Sequence, residues 1–327
     1  MTASLLTWGL RFDFRNPAFA GTTMAERYAA ALDMVEWADA LGAQSVTVSE
    51  HHGSDDGYLP SSLPMLAAMA TRTTRLRLRV AALIVPFHDR LRLAEDLAVV
   101  DNLAEGRLEI VVAAGYNAAE FAMFGVPMKQ RVRDVIETVE TLRGAFSGGP
   151  FEFRGRTVQI TPTPFQPGGP AIVLGGSSEP AARRAARIAD GFAPSAPGVW
   201  DFYRDEMLRL GRPDPGPPRG NSVGTTFLAD DVDQGWQEYG PFFLHEMNAY
   251  GAWQEEGVRT NFREVDAIED LRERSHYRVT TPEQLVHDIQ ELDDPTVVFH
   301  PLCGGTTPAL GWRSLRLFEH DVLPKVG

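Results

Sequence analysis

Residues 76–113 read LRLRVAALIVPFHDRLRLAEDLAVVDNLAEGRLEIVVA, a pattern typical of two strands joined by a helix. The apolar runs at 76–85 and 108–113 predict strands, and the apolar residues of 91–103 recur at helical spacing. A connection of this length between strands predicts that they are parallel, because parallel neighbours need a crossover.

The same alternation of strand and helix recurs along the chain. We predict strands at 5–10, 45–49, 76–85, 108–113, 171–174, 191–194, 222–228 and 296–300. We predict helices at 24–41, 60–72, 91–103, 130–146 and 179–189. The pattern predicts an α/β fold, a closed (β/α)8 TIM barrel with insertions. A doubly wound open sheet is the alternative, although no G-x-G-x-x-G turn follows the first strand.

Two segments are long for barrel connections. Residues 147–170 alternate apolar positions between Gly and Pro clusters, which predicts an inserted hairpin. Residues 230–295 are acidic, aromatic and partly helical, and fit either a functional lid or an outer packing layer. We therefore expect residues 1–327 to form a single barrel domain with these two inserted segments.

Composition excludes several classes of protein. With 44 Asp and Glu against 31 Lys and Arg, the formal net charge of -13 argues against nucleic-acid or membrane binding. The single cysteine, Cys303, predicts that neither a disulfide framework nor a thiolate metal site forms within one chain. His245-Glu246 begins an H-E-x-x-H motif, but Ala249 replaces the second histidine, so no metal site is predicted. No signal peptide or membrane span is evident, which predicts a cytoplasmic protein.

The tripeptide Glu50-His51-His52 follows the predicted strand SVTVS. If Val46 and Val48 face the helices, alternation turns His51 inward at the C-terminal mouth of the barrel. A histidine there can exchange protons near neutral pH, although a structural histidine is the alternative. His51 and His52 cannot chelate one metal, because adjacent side chains on a strand diverge.

Two further patterns leave room for a ligand. Ala81-Ala82 in the third strand leaves space for a flat ligand or simply packs the barrel. Gly175-Gly176-Ser177-Ser178 precedes the helix at 179–189 and is suited to a phosphate, or is an ordinary helix N-cap.

Residues 46–126, together with AIVLGGSSEPAARRAARIADGF and SLRLFEHDVLP, resemble the bacterial luciferase-like (alkanal) monooxygenase family. The resemblance covers nearly the whole chain and implies a barrel that binds reduced FMN at its C-terminal mouth. It implies that a separate reductase supplies reduced FMN and that O2 then forms a flavin 4a-hydroperoxide. This would oxidise a small organic substrate such as an aldehyde or ketone, in a protein that we expect to be a homodimer.

The resemblance also implies roles for individual residues. His51 falls on the catalytic histidine, Ala81-Ala82 on a non-prolyl cis peptide beside the flavin, and Ser177 on a phosphate contact. We expect the cofactor to be bound by Ala81, Ala82, Gly115, Tyr116, Gly175, Gly176, Ser177 and Ser178. Trp8, Tyr58 and Asn117 are candidate substrate contacts, with core packing as the alternative for the aromatic residues. Glu120 is a further candidate contact to cofactor or substrate.

The chain departs from the family pattern at the phosphate site. Ala113-Ala114-Gly115 stands where the luciferase subunit has Cys-Arg-Gly, and Gly176 replaces a glutamate. The missing arginine keeps open a hydride-transfer oxidoreductase that uses the deazaflavin coenzyme F-420. The Glu-His-His tripeptide favours flavin over that alternative. A non-catalytic flavin-binding protein is a further alternative.

Overall fold

The computed structural model describes residues 6–218, 221–254, 262–273 and 277–326, without the side chains of residues 221–224. The strands are β1 (Thr7–Phe12), β2 (Ser45–Val48), β3 (Arg77–Ile84), β4 (Leu108–Ala113), β5 (Phe151–Phe153), β6 (Arg156–Val158), β7 (Ile172–Gly176), β8 (Gly191–Pro194), β9 (Asn221–Leu228), β10 (Tyr277–Thr280) and β11 (Pro295–Phe299). The helices are α1 (Met24–Ala40), α2 (Ser62–Ala70), α3 (Arg90–Leu103), α4 (Ala118–Phe124), α5 (Arg131–Ala145), α6 (Glu179–Ile188), α7 (Val199–Arg209), α8 (Val232–Gly251), α9 (Ile268–Arg272), α10 (Pro282–Gln290), α11 (Pro308–Leu317) and α12 (Leu323–Val326).

The chain folds as two compact units, and it passes from one to the other within β2. The first unit comprises the described residues of 1–47, 54–59 and 219–327, and its strands follow the order β10-β9-β11-β1-β2. The second unit comprises residues 48–53 and the described residues of 60–218, with the strand order β3-β4-β7-β8. Pairing is parallel from β10 through β9 and β11 to β1, and from β3 through β4 and β7 to β8.

Several helices begin at residues that cap them. Thr23 and Glu26 form a reciprocal capping box at the start of α1. Asp89 caps α3 by accepting two backbone N–H groups, and Thr281 and Thr307 cap α10 and α11, each of which has proline in its first turn. Local sequence therefore fixes where these crossover helices start.

Aromatic side chains form much of the core of the first unit. On β1, Trp8 packs edge-on against Trp37 of α1 and Phe318, and it also contacts Phe299 of β11. A second cluster buries the aromatic face of α8 against β9 and β10, including Phe243 stacked on Tyr277 at 4.7 Å between ring centroids. This packing favours the outer-layer interpretation of α8.

The predicted strands all have counterparts, although residue 5 of the first lies outside the described residues. The predicted hairpin in 147–170 is present as the antiparallel pair β5 and β6. The sequence analysis did not identify β10, which lies inside the segment 230–295 and pairs with β9. β10 has only four residues and lies between acidic helical stretches, so its apolar pattern is too short to distinguish a strand from a helix. The single-domain boundaries stay a prediction.

No helix in the described part of the chain is both long and apolar enough to cross a bilayer.

Candidate active site

The tripeptide Glu50-His51-His52 stands at the C-terminal end of β2, and all three residues belong to the second unit. Val46 and Val48 are fully buried, while the alternate residues Ser45 and Thr47 are half-buried. The alternation that the sequence predicts for β2 is therefore present.

His51 is paired with a buried carboxylate. Its Nδ1 lies 2.7 Å from Oε1 of Glu120, and the two residues are 8% and 2% exposed. The same Oε1 accepts the backbone N–H of His52 at 3.1 Å, which holds the carboxylate in place. A carboxylate at Nδ1 favours the tautomer that carries the proton there, so Nε2 becomes the acceptor. The hydroxyl of Tyr116 lies 3.5 Å from that Nε2.

Asn117 sets the start of α4 and thereby the position of Glu120 in its first turn. Its side chain caps α4 by accepting the backbone N–H of Ala119 at 3.1 Å, and Glu120 follows in the first helical turn. The spacing N-x-x-E is that of a capping box, in which the glutamate would bond the N-cap backbone. Here the carboxylate of Glu120 bonds His51 instead. The capping pattern therefore indicates where Glu120 lies on α4, but it does not indicate His51 as its partner. The substrate role of Asn117 stays a prediction.

Glu50 is the centre of a separate hydrogen-bond network. Its carboxylate accepts from Ser62 Oγ at 2.8 Å and from the backbone N–H of Ile84 at 3.2 Å. The Nε2 atoms of His52 and His88 lie 3.3 and 3.4 Å from its Oε1. Burial alone would raise the pKa of Glu50, but the hydrogen bonds from His52, His88 and Ser62 outweigh burial and lower it to about 2. Glu50 is thus an anion that connects residues 48–53 to the end of β3 and to α2, all within the second unit.

The two adjacent histidines point apart, as their positions on a strand predict. The ring of His52 packs edge-on against Phe87 and Phe124, with centroid distances of 5.4 and 4.8 Å. His52 lies against Glu50 and His51 lies against Glu120, so the two imidazoles do not converge on one metal position.

Small, half-buried residues lie on three neighbouring strands in the second unit. They are Ala81 and Ala82 of β3, Ala113 of β4, and Gly175 of β7. The Ala81–Ala82 peptide is cis, the geometry that the family resemblance implies at this pair. A Cβ built on Gly175 would lie 3.7 Å from the Cβ of Ala113, so the two strands present adjacent short side chains. We call this set of short side chains the small-residue floor.

Backbone geometry also requires glycine in the loops beside the floor. Gly115 has φ +74°, and a Cβ there would lie 2.9 Å from Cγ2 of Ile84. A Cβ on Gly176 would lie 2.5 Å from the Cβ of Ala181, so glycine lets the end of β7 approach α6.

The serines after Gly176 are exposed. Ser178 occupies the N-cap position of α6, but its side chain makes no capping hydrogen bond. The ordinary N-cap interpretation is therefore not realised by its hydroxyl. Hydroxyl groups beside a helix N-terminus suit an anion, and a phosphate role for Ser177 and Ser178 stays a prediction.

The other candidate substrate residues lie in the first unit. Trp8 is 2% exposed and its ring contacts are those of a core side chain. Tyr58 is also buried, and its hydroxyl lies 2.7 Å from that of Tyr250. These contacts favour packing for Trp8, while a substrate role for either residue stays a prediction.

Sequence reasoning missed a buried charge cluster around Tyr58. The guanidinium of Arg15 lies 4.8 Å from the Tyr58 ring centroid and pairs with Asp56 at 2.5 Å. His245 Nε2 lies 2.7 Å from the same Asp56 carboxylate. Burial opposes ionisation of Asp56, but the His245 hydrogen bond and the charge of Arg15 prevail and lower its pKa to about 2. These residues are far apart in sequence, so no local pattern indicates the cluster.

A family model described as luciferase-like monooxygenase matches residues 10–297. The chain belongs to the luciferase-like monooxygenase family. Membership confirms the predicted resemblance and supports the predicted oxidoreductase class.

The curated relatives match part of the chain. An uncharacterized protein y4wF of Sinorhizobium fredii is 31% identical over 144 residues, 44% of this chain and 42% of that protein. An F420-dependent glucose-6-phosphate dehydrogenase of Nakamurella multipartita is 28% identical over 186 residues, 54% of this chain and 55% of that protein. The chain thus spans about half the length of the curated relatives it matches.

Solved structures match nearly the whole chain. Monooxygenase RslO1 from Streptomyces bottropensis superposes with a TM-score of 0.76 at 24% identity, covering 98% of this chain and 100% of that one. The oxygenating constituent of 3,6-diketocamphane monooxygenase of Pseudomonas putida, solved with FMN, gives a TM-score of 0.71 at 20% identity, covering 99% of each chain. These likenesses confirm the predicted α/β fold of the luciferase-like TIM-barrel type.

Proposed function

We propose that this chain is a flavin-dependent monooxygenase that uses reduced FMN and O2 to oxidise a small aldehyde- or ketone-like substrate. The observation that carries the proposal is the buried His51–Glu120 pair at 2.7 Å, in a family of monooxygenases. The FMN bound to the 3,6-diketocamphane enzyme supports flavin as the cofactor.

The residues of the second unit fit such a cofactor. The small-residue floor carries nothing larger than a methyl group at Ala81, Ala82, Ala113 and Gly175, so a planar ring can approach the strands. Ser177 and Ser178 offer exposed hydroxyls for its phosphate. Reduced FMN, when bound, supplies two electrons, so that one oxygen atom of O2 enters the substrate and the other leaves as water.

His51 is the group that we propose exchanges a proton during turnover. Glu120 holds the Nδ1 proton and stabilises the imidazolium that forms when Nε2 accepts a second proton. The hydroxyl of Tyr116, 37% exposed and 3.5 Å from Nε2, is placed to pass that proton onward. His51 is therefore the proposed catalytic residue, and Glu120 is a positioning residue.

We further propose that a separate reductase supplies reduced FMN and that the protein is a homodimer. The sequence has no G-x-G-x-x-G motif after its first strand, which supports delivery of flavin reduced elsewhere. Both proposals follow the family resemblance.

The F-420 hydride-transfer reaction is the second candidate. Ala114 and Gly176 replace the arginine and the glutamate of the luciferase phosphate site, and one relative is a dehydrogenase that depends on F420. An enzyme of this kind would move a hydride to or from an alcohol or enone and would leave O2 unused.

The test compares reduced FMN with reduced deazaflavin in anaerobic binding, and then supplies O2 labelled with oxygen-18 together with aldehydes and ketones. We expect tighter FMN binding and one labelled oxygen atom in the product. Preference for the deazaflavin with no label in the product would overturn the monooxygenase in favour of the second candidate. Binding of FMN without turnover would favour a non-catalytic flavin-binding protein.

Variants of His51 test its role in the same assay. We expect His51→Ala to lower kcat by about 10²–10⁴-fold, the usual range for loss of general acid–base catalysis. His287→Ala, which removes an exposed histidine on α10, is the matched control. Wild-type turnover in His51→Ala would contradict the catalytic assignment.

A further inference from the structure

A buried cluster in the first unit brings together three side chains of the types that bind transition metals. Glu246 lies on α8, and His300 and Cys303 lie in the turn after β11. One ligand atom of each lies within 4.8 Å of the others, and the three residues are 1%, 0% and 0% exposed.

The turn holds two of these residues at a spacing of three. The backbone N–H of Cys303 donates to the carbonyl oxygen of His300 at 2.9 Å, which closes the turn. The buried guanidinium of Arg27 donates to the carbonyl oxygens of Leu302, Gly305 and Thr306 at 2.7, 3.1 and 3.0 Å. These hydrogen bonds therefore hold the backbone of the turn that carries the imidazole and the thiol.

Polar atoms in the cluster lack hydrogen bonds. Both ring nitrogens of His300 and Oε1 of Glu246 are buried and have no hydrogen-bond partner. Buried polar atoms are nearly always satisfied, and an unsatisfied group indicates a bound water or ion. His300 is 0% exposed, so any partner of its ring nitrogens has to lie inside the protein.

The distances suit a tetrahedral cation. Zinc bonds of about 2.0–2.3 Å place neighbouring ligand atoms about 3.3–3.8 Å apart. His300 Nδ1 and Glu246 Oε1 are 3.6 Å apart, which is within this range. Cys303 Sγ lies 3.1 Å from the other carboxylate oxygen, Glu246 Oε2, slightly below the range. On the other side of the imidazole, Nε2 lies 3.5 Å from Oδ1 of Asp13. A carboxylate behind a ligating histidine is the usual outer partner at zinc sites, since it orients the ring.

We propose that Glu246, His300 and Cys303 form a buried structural site for a divalent transition-metal ion, with Zn²⁺ as the best match to one thiolate, one imidazole and one carboxylate. Asp13 orients His300, and a water completes the tetrahedron. All four residues belong to the first unit, whereas the small-residue floor and His51 belong to the second.

Binding of the ion releases a proton. Cys303 donates its S–H to Glu246, and burial beside that carboxylate raises the pKa of the thiol well above its ordinary range. When the metal–sulfur bond forms, the S–H bond breaks and the proton leaves to solvent, with no change of oxidation state. Arg11, 3.9 Å from Glu246 Oε1, and Tyr277, which donates to Oε2 at 2.6 Å, are the other polar groups at the carboxylate. The absence of a metal motif in the sequence is explained by ligands that come from two distant segments.

The test measures metal content. The full chain is produced in zinc-supplemented medium, exchanged into metal-free buffer and analysed for bound metal by mass spectrometry. We expect about one zinc ion per chain, as for a structural site, and less than about a tenth of that in Cys303→Ser and His300→Ala. His287→Ala is the matched control and should retain the wild-type content, with circular dichroism as the check on folding.

If the variants fail to fold, a second measurement on the wild-type protein tests the proposal. Wild-type protein refolded with Co²⁺ should show a near-ultraviolet thiolate-to-cobalt absorption band. A wild-type chain that holds no metal after folding with Zn²⁺ or Co²⁺, or a folded Cys303→Ser that holds as much as wild type, would overturn the proposal. Since both readouts are independent of turnover, the result does not depend on the proposed function.

Discussion

Glu120 and Glu50 are both buried carboxylates that face histidines, yet their surroundings give them different roles. Glu120 bonds one imidazole nitrogen and one backbone N–H. Glu50 accepts from a serine, a backbone N–H and two histidines. The first arrangement leaves one histidine oriented for proton exchange, and the second produces a fixed internal anion.

Glu120→Gln should separate positioning from structure. The amide still fits the site but carries no charge, so the protonated form of His51 loses its stabilising partner. We expect kcat to fall by about 10-fold or more while KM changes little.

Glu140→Gln is the matched control, because Glu140 is exposed on α5. Glu120→Asp, which keeps the charge, should restore part of the rate. An unchanged kcat in Glu120→Gln, or a Glu120→Asp variant no faster than Glu120→Gln, would contradict the positioning role.

Glu50→Gln should lower stability in a pH-dependent way. The pKa of Glu50 falls from 4.5 to about 2 on folding, which corresponds to roughly 3 kcal/mol of stability. A lowered pKa stabilises the fold above pH 4.5, and the contribution disappears as the pH falls towards 2. Urea unfolding should therefore show a difference between wild type and variant at pH 7 that narrows below pH 4.5. A difference that is constant with pH would contradict this assignment.

At the scale of elements, periodicity predicted strands and helices well where the segments are long. The strand β4 has the predicted bounds, and α1 differs from its prediction by one residue at its C-terminal end. Short elements were missed, β10 and α4 among them, because four to seven residues carry little periodic signal. The alternation along β2 correctly predicted buried Val46 and Val48.

The partners of the candidate site residues were harder to predict than the residues themselves. Nothing local links His51 to Glu120, 69 positions away, or Glu246 to Cys303, 57 positions away. Such pairs depend on tertiary packing, which a single sequence does not specify.

The turn after β11 gives an element-scale prediction. Gly304 has φ +57°, and a Cβ there would lie 2.0 Å from the backbone oxygen of Phe242 on α8. We expect Gly304→Ala to lower the free energy of unfolding by about 2–4 kcal/mol, from the left-handed backbone and the clash together. Gly211→Ala is the control, since Gly211 has φ +68° and nothing within 4 Å of its added Cβ. Chemical denaturation measures both, and equal losses would contradict the predicted clash.

At the scale of the whole molecule, charge sets what the surface attracts. The net charge of -13 should repel the phosphate backbone of DNA. In a low-salt gel-shift assay we expect no complex with duplex DNA at protein concentrations of about 10⁻⁶–10⁻⁴ M, where non-specific binders do shift it. A basic DNA-binding protein is the positive control, and a shifted band would contradict the predicted exclusion of nucleic acid.

Three tryptophans of the first unit pack against one another, and their optical signal reports when distant segments of the chain come into contact. Trp37 lies 5.8 Å from Trp8 and 5.6 Å from Trp312, with ring planes inclined at 63° and 81°. Indoles this close exchange excitation energy and couple in circular dichroism. Because Trp312 lies on α11 and Trp37 on α1, the part of the signal that comes from this pair arises only after these two distant segments have met. A stopped-flow trace of that signal would time this long-range closure, the kind of step that slows folding.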